Sequence, residues 1–183
     1  ARVPAGASGI IPVFSDAMNF ARWYHAAPSF LNMSIEPGHT TPASLFRALE
    51  ENAAIVSAEN LRRVIAFSDT DIGEVVTFAG GASKGALWTQ ILADVLQRDI
   101  AVPVVREATA LGCAAVAAVG AGQFSGMEEA GNAFSRVERI VKPNRINAAL
   151  YAEAADRWSQ AYAPQRALVD SNVTHSMWKA PGL

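Results

Sequence analysis

Three glycines, Gly80, Gly81 and Gly85, lie between an apolar run and an amphipathic one. The apolar run, Val75 to Ala79, has the composition of a buried strand, and the residues after the glycines have helical periodicity. Glycine adopts backbone angles that other residues avoid, and it lets a ligand come close to the main chain. A glycine turn between a strand and a helix is therefore a place where the backbone itself can bind a ligand.

The helix after the turn is expected to begin at Ser83 or Lys84, where backbone N–H groups have no partner within the helix. The amides of Ala82, Ser83, Lys84 and Gly85 would then point outward, and the helix dipole would favour an anion such as a phosphate. A purely structural interpretation is also open, in which the glycines only make a tight turn and Ser83 caps the helix.

Two known phosphate loops can be compared with this turn. A Walker A loop requires Lys and then Ser or Thr after its last glycine, but Ala86–Leu87 follows Gly85. A dinucleotide-binding turn requires G-x-G-x-x-G and an acidic residue about 20 positions later. Gly80, Gly81 and Gly85 fit that spacing poorly, and Glu107 follows late. A dinucleotide-binding module is retained as an alternative, as is a non-catalytic interaction domain.

The composition fits one globular domain and argues against several classes of function. The chain has 183 residues, of which 51% are hydrophobic, so it can form a core without disulfides or a structural metal. The single cysteine, Cys113, favours a reducing compartment, the cytoplasm. The net charge of −2 argues against a nucleic-acid or anionic-membrane surface. The longest apolar run, "ATALGCAAVAAVGAGQF", is too short to span a bilayer, and we expect it to be a buried helix with Cys113 in the core.

Neither metal ligands nor a targeting segment can be recognised in the sequence. His25, His39 and His175 are far apart and lack the spacing of metal ligands, so no metal site is predicted from them. The chain starts at Ala1 without a methionine or a signal segment, and we expect it to be part of a longer protein.

The order of predicted elements indicates an α/β fold. A strand, a helix, a second strand and a second helix follow one another, which is typical of parallel strands joined by right-handed crossovers. Strands buried on both faces are continuously apolar, as these are. The expected elements are a short edge strand near Pro12, a helix from about Thr41 to Phe67 capped by Thr41 or Ser44, strands at Val75 to Ala79 and from Ala101, and helices at about Ser83 to Val95, Thr109 to Gly122, Met127 to Val137 and Asn147 to Tyr162.

A longer stretch, "GGASKGALWTQILADVLQRDIAVPVVREATALGCAAVAAVGAG" from Gly80 to Gly122, resembles the C-terminal domain of the FGGY carbohydrate kinases. That family has a glycine-rich turn, a helix of the form W-x-Q-x-L-A-D, a strand, and E-A-T-A-L-G followed by a helix of small residues. This chain has the same order, with Trp88 to Asp94 and Glu107 to Gly112 in the motif positions. The helix from Arg47 to Val56 also resembles the family helix upstream of the turn, and the resemblance covers nearly the whole chain.

The resemblance implies an α/β fold of the ribonuclease-H-like, actin-like ATPase type, rich in helix and with a short, mostly parallel sheet. Residues 1–183 would be the C-terminal part of the second kinase domain, and the N-terminal sugar-binding domain, its partner, would be absent. ATP and Mg²⁺ are implied as cofactors, and a small hydroxylated molecule as substrate. The family's catalytic aspartate and N-terminal phosphate loop lie upstream of this segment, so no catalytic or metal-binding residue is expected here.

Within the turn, the resemblance implies that Gly81 and Ala82 contact the α-phosphate and adenosine region of ATP through the backbone. Gly80, Ser83 and Gly85 would lie beside them. A kinase for a pentulose such as xylulose or ribulose is an alternative within the family. Four further residues have both a nucleotide-facing and a purely structural interpretation, and these are Lys84, Glu107, Thr109 and Gly112.

Overall fold

The computed structural model describes residues 3–16, 24–68 and 72–179. Its strands are β1 (Ile11–Val13), β2 (Ser29–Leu31), β3 (Val75–Thr77), β4 (Asp99–Pro103) and β5 (Val137–Val141). Its α-helices are α1 (Pro42–Ser68), α2 (Ala86–Leu96), α3 (Ala108–Gly120), α4 (Met127–Phe134) and α5 (Ala148–Asp170). Short 3₁₀ helices cover Ala7–Gly9, Gly81–Lys84 and Arg145–Asn147.

The chain divides into two compact units, and each is described separately. The first unit comprises Ala1–Asp71, Asp94–Gln97 and Asn144–Leu183. The second comprises Ile72–Ala93 and Arg98–Pro143 and contains the glycine turn. The last residues of α2 therefore group with the first unit, although the rest of that helix belongs to the second.

In the first unit, helices α1 and α5 pack with a small antiparallel pair of strands, β1 and β2. Pro12 lies opposite Phe30 in this two-stranded ladder, in agreement with the expected edge strand. The core is built from both helices and β1, and its largest side chains come from α5. Its buried members are Val13, Ala26, Ile55, Val56, Trp158 and Tyr162.

Helix α1 begins with a reciprocal cap. The Ser44 N–H donates to Thr41 Oγ1 at 3.1 Å, and the Thr41 N–H donates to Ser44 Oγ at 3.0 Å. Because two backbone N–H groups are satisfied by side chains three residues apart, the helix start is well defined. The predicted cap at Thr41 or Ser44 is confirmed, and both residues take part.

In the second unit, β4 is the central strand of a three-stranded sheet with the order β3-β4-β5. Strand β3 pairs with it in parallel, as expected, and β5 pairs with it antiparallel. The three central residues of β4 are buried, and these are Ile100, Ala101 and Val102. Strand β3 differs from the expectation of burial on both faces, because it lies at the edge and its Val75 is 49% exposed.

Two predicted helix ends were wrong. The helix expected from Met127 to Val137 ends at Phe134, and the residues after it form β5. Strand β4 supplies the hydrogen-bond partners of β5, and this pairing between residues distant in sequence decides the strand. The last helix continues to Asp170, past Pro164, instead of ending near Tyr162. Residues after the proline make contacts that stabilise this part of the helix, including the ion pair of Arg166 with Asp16 at 3.5 Å.

Helix α3 is much less buried than its apolar sequence predicts. Only Ala115 and Ala118 of this helix are buried, whereas Val116 is 60% exposed and Cys113 is exposed. The prediction that Cys113 belongs to the core is therefore wrong. The cause is that α3 packs on α4 through a narrow face of small residues. In the part of the chain that the structure describes, no helix combines the length and the apolar character needed to cross a membrane.

Candidate functional site

The glycine turn connects β3 to α2 through a short 3₁₀ helix. Gly80 precedes this 3₁₀ helix with φ +87° and ψ −177°, a combination that is essentially restricted to glycine. Gly85 ends it in an extended conformation, and α2 begins at the next residue, Ala86. The α-helix thus starts two or three residues later than predicted, because the turn is closed by 3₁₀ hydrogen bonds.

The amides of Ser83 and Gly85 donate within the turn. The Ser83 N–H and the Ser83 hydroxyl both donate to the Gly80 carbonyl, at 3.2 and 2.7 Å, and the Gly85 N–H donates to the Ala82 carbonyl at 3.1 Å. The prediction that the amides of Ser83 and Gly85 point outward to a ligand is therefore wrong. Ser83 is fully buried, so its side chain stabilises the turn.

The amides of Gly81 and Ala82, which the family resemblance indicates, are candidates for ligand binding. They are the first two N–H groups of the 3₁₀ helix, and such groups have no acceptor within the helix that they start. Gly81 is exposed and Ala82 is half-buried. A Cβ at Gly81 would have no neighbour within 4 Å among the described residues, so the space beside the main chain is open. An acceptor such as a phosphate oxygen can approach both donors.

Thr89 connects the turn to the first part of α2. Its Oγ1 donates to the Gly85 carbonyl at 2.8 Å, its N–H donates to the same carbonyl at 3.0 Å, and the residue is fully buried. The end of the turn therefore has a fixed position relative to the helix. Sequence reasoning missed Thr89. The only available signal was its place on the buried face of the predicted helix, four residues after Gly85.

Two arginines from outside the turn also contact it. The Gly80 N–H donates to the Arg106 carbonyl at 2.8 Å, and Arg139 on β5 donates from Nη2 to the Ser83 carbonyl at 3.2 Å. The side chain of Arg106 forms an ion pair with Glu138 at 2.6 Å. These contacts hold the turn from the side of the sheet. The contact of Arg139 was missed because β5 was not predicted and its first residue, Val137, was expected to end a helix.

The residues of the W-x-Q-x-L-A-D motif connect α2 to its surroundings. The Trp88 ring packs edge-on against Phe78 with 6.0 Å between the ring centroids, and the Gln90 amide donates to the Lys142 carbonyl at 2.9 Å. Asp94 accepts bonds from the Asn144 N–H at 2.8 Å and from Asn147 Nδ2 at 2.7 Å. The motif therefore has a structural role, because it fixes the helix that follows the turn.

The further candidates are placed near the surface. Lys84, Glu107, Thr109 and Gly112 are all exposed. Glu107 occupies the N-cap position of α3 but makes no capping bond with its side chain, contrary to the structural interpretation. The Arg106 carbonyl accepts bonds from the N–H groups of both Gly80 and Ala108, so the turn and the start of α3 share one acceptor. In the described parts of the chain, no cluster of His, Cys, Asp and Glu side chains is arranged to hold a metal ion.

Comparisons with known proteins identify the family of this chain. The family model for the C-terminal domain of the FGGY family of carbohydrate kinases matches residues 1–121. The chain is 58% identical over 182 residues to an autoinducer-2 kinase of Salmonella paratyphi B, and 55% identical over 183 residues to one of Yersinia enterocolitica. Each alignment covers 100% of this chain and 34% of the relative, so the chain spans about a third of the length of these curated relatives.

Solved structures of kinases have the same fold. The xylulose kinase from Rhodospirillum rubrum superposes with a TM-score of 0.69 at 25% identity, covering 91% of this chain and 32% of that one. The gluconate kinase from Lactobacillus acidophilus superposes with a TM-score of 0.70 at 19% identity, covering 91% and 32%. The predicted fold class is confirmed, with a sheet that is mixed because of β5. The family replaces the dinucleotide-binding alternative, and the chain belongs to the FGGY family of carbohydrate kinases, whose C-terminal domain it matches.

Proposed function

We propose that this chain is the C-terminal, ATP-binding part of an autoinducer-2 kinase. The observation that carries this proposal is the similarity to autoinducer-2 kinases over 100% of the chain at 55 to 58% identity. The reaction would be ATP-dependent phosphorylation of 4,5-dihydroxypentane-2,3-dione at a terminal hydroxyl, as part of quorum-sensing signal processing. We infer a cytoplasmic location, where ATP is available.

The glycine turn is the proposed ATP contact. Gly81 and Ala82 would donate their N–H groups to the α-phosphate and adenosine region, where two exposed or half-buried donors have no acceptor within their 3₁₀ helix. Gly80 sets the direction of the chain at this point. Ser83 and Gly85 would act indirectly, because their hydrogen bonds close the turn and keep the two donors in position.

The remaining catalytic groups would come from outside these residues. Mg²⁺ would neutralise charge on the phosphates of ATP, and a carboxylate base would take the proton of the attacking hydroxyl. We assign both the base and the metal ligands to the part of the kinase upstream of this chain. Residues 1–183 would then be the C-terminal part of the second domain, with the N-terminal sugar-binding domain as partner. The isolated chain is expected not to turn over substrate.

The substrate is tested by ADP release from the full-length protein. We expect a strong preference for 4,5-dihydroxypentane-2,3-dione over D-xylulose, L-ribulose and glycerol. A preference for a pentulose would move the protein to another branch of the family, an alternative that the similarity to a xylulose kinase structure supports. Absence of ADP release with all four compounds would contradict the proposed kinase activity and favour a non-catalytic domain.

The nucleotide contact is tested by Gly81→Val in the full-length protein. The added side chain has free space, so the fold should persist, but it would stand where a phosphate approaches Gly81 and Ala82. We expect the apparent KM for ATP to rise about tenfold or more, as for the loss of one charge-assisted hydrogen bond. The matched control is Gly126→Val, an extended glycine with equally open space, which should leave the KM unchanged. Unchanged ATP kinetics in Gly81→Val would contradict the role of the turn.

A further inference from the structure

The glycine turn is held by three contacts, and the one made by Arg139 comes from the most distant part of the sequence. The Gly80 N–H donates to a backbone carbonyl after β4, and the end of the turn is fixed by Thr89, four residues after Gly85. Arg139 lies on β5, 56 residues after Ser83, and donates from Nη2 to the Ser83 carbonyl at 3.2 Å. The attachment of the turn to β5 therefore depends on this side chain.

The register between β4 and β5 shifts directly beside Arg139. Arg139 pairs with Val102, but the next residue of β4, Pro103, pairs with Val137 and not with Glu138. Glu138 is therefore an extra residue in β5, as in a β-bulge. Bulges bend a strand and redirect its side chains, and they are frequent next to functional sites. The shift thus falls at the two residues of β5 whose side chains reach the surroundings of the turn.

The charge of Arg139 is not compensated by a neighbouring carboxylate. Arg106, which also contacts the turn, forms an ion pair with Glu138 at 2.6 Å. Arg139 is half-buried and donates to a neutral carbonyl, and among the described residues it has no ion pair. The field of a partly buried cation is less screened than that of an exposed one. Arg139 therefore makes the surroundings of the turn favourable for an anion.

We propose that Arg139 is a positioning residue for ATP at the glycine turn. Its hydrogen bond holds the Ser83 carbonyl against β5, which keeps the amides of Gly81 and Ala82 in place for the nucleotide. Its uncompensated charge favours the phosphates. This role rests on the proposed function, since it concerns the same turn, and it adds a residue outside the stretch from Gly80 to Gly122.

The affinity of the full-length protein for ATP tests this role, and isothermal titration calorimetry with Mg²⁺ and without the second substrate measures it. Arg139→Met removes both the donor and the charge, so we expect the dissociation constant for ATP to rise about tenfold. Arg139→Lys keeps the charge and a donor on a flexible side chain, so the rise should be about threefold or less. The matched control is Arg136→Met, at an exposed residue directly before β5, which should leave the affinity unchanged.

Steady-state kinetics separates positioning from a purely structural role. In Arg139→Met we expect the KM for ATP to rise by the same factor as the dissociation constant. The kcat and the KM for 4,5-dihydroxypentane-2,3-dione should stay within about twofold of the parent values, because the lost interaction affects nucleotide binding alone. A structural role would instead lower the melting temperature and the active fraction while the KM for ATP stayed constant, and that pattern would overturn the proposal.

The remaining outcomes are distinguishable from one another. Equal ATP affinity in Arg139→Met and the parent would overturn the role of Arg139, as would equal losses in Arg139→Met and Arg136→Met. If circular dichroism shows that Arg139→Met is unfolded, Arg139→Gln replaces it, because its amide is too short to reach Ser83 and the same rise is expected. A parent protein that binds ATP but releases no ADP with the dione would contradict the proposed substrate and leave this test intact. A parent that does not bind ATP would overturn both proposals.

Discussion

Helices α3 and α5 show opposite relations between sequence and burial. Helix α3 is composed almost wholly of apolar residues, yet only Ala115 and Ala118 are buried. Helix α5 is rich in charged and polar residues, yet it buries three large aromatic side chains, Tyr151, Trp158 and Tyr162. The difference lies in the partners, because α5 packs against β1 and α1, whereas α3 meets α4 along a narrow face. Burial is therefore set by what packs against a helix and not by its composition alone.

The buried aromatic residues of α5 are also connected by polar contacts. Tyr151 donates to Glu51, and the Tyr162 hydroxyl accepts a bond from the Ala26 N–H at 3.2 Å. Desolvation by burial raises the pKa of both tyrosines above the usual range. The surroundings of α5 thus combine an apolar core with a buried hydrogen-bond network. Helix α3, in contrast, buries only two alanines.

The largest expected effect comes from truncating a core residue of α5. Trp158→Ala should lower the free energy of unfolding by about 3–5 kcal/mol, because it leaves a cavity in the core of the first unit. Val116→Ala on α3 should change it by less than about 0.5 kcal/mol, because Val116 is 60% exposed. Urea unfolding followed by circular dichroism measures both values. Equal losses in the two variants would contradict the comparison between the helices.

The buried network is tested by Glu51→Gln. The amide preserves the shape and an acceptor oxygen but removes the negative charge that pairs with Arg47, whose side chain is only 14% exposed. We expect a loss of about 1.5–3 kcal/mol, the range for a hydrogen bond to a charged group. The control is Glu153→Gln, where the carboxylate is 72% exposed and lies 3.8 Å from Arg157. A loss in Glu153→Gln as large as in Glu51→Gln would show that burial of the pair does not matter.

The glycine turn of the second unit is tested by Gly80→Ala. A Cβ at Gly80 has free space, but φ +87° with ψ −177° is strained for alanine, so the variant should lose about 1–3 kcal/mol. Gly81→Ala lies within the 3₁₀ helix and should lose much less. The free energy of unfolding measured for both variants separates backbone strain from steric contact. Equal stability of the two variants would contradict the assigned conformation of Gly80.

The smallest expected effect is the pH dependence of a surface ion pair on α1. Glu59 accepts two bonds from Arg62, at 2.7 and 2.9 Å, and one from Arg63 at 2.8 Å. The hydrogen bond from Arg62, followed by that from Arg63, lowers the pKa of Glu59. Because the folded-state pKa lies below the unfolded one, the stabilisation is present above the unfolded pKa and is lost as the pH falls through the folded pKa.

This ion pair contributes about 1 kcal/mol or less, because it lies at the surface and is screened by solvent. Glu59→Gln should therefore be slightly less stable than the parent chain at neutral pH. The two should become equally stable once acid has protonated Glu59 in the folded state. Urea unfolding at neutral and acidic pH measures the difference. A deficit that stays constant with pH would rule out the ion pair as its origin.

Much of the fold could be predicted from local sequence signals. The Thr41–Ser44 cap, the periodicity of α1 and the parallel pairing of β3 with β4 all follow from patterns within a few residues of each element. Strand β5 could not be identified in this way, because its hydrogen bonds go to β4, far away in the sequence. The same is true of Arg139, whose contact with the turn depends on β5 being a strand.

The candidate site, like the fold, could be predicted only in part from the sequence. The glycines and the W-x-Q-x-L-A-D motif were sufficient to predict a turn between a strand and a helix. They also led to the prediction that backbone N–H groups of this turn bind a ligand. The sequence did not indicate which amides the turn uses for itself, because that choice depends on 3₁₀ bonds to the carbonyls of Gly80 and Ala82.

By itself, then, the sequence determined the family, the order of most elements and the position of the glycine turn. These properties depend on residue types and on spacings along the chain. Only the tertiary structure decided which side chains are buried, in which direction β5 runs, and that the amides of Ser83 and Gly85 donate within the turn. Those outcomes depend on contacts between residues that are distant in sequence, and such contacts form only when the chain has folded.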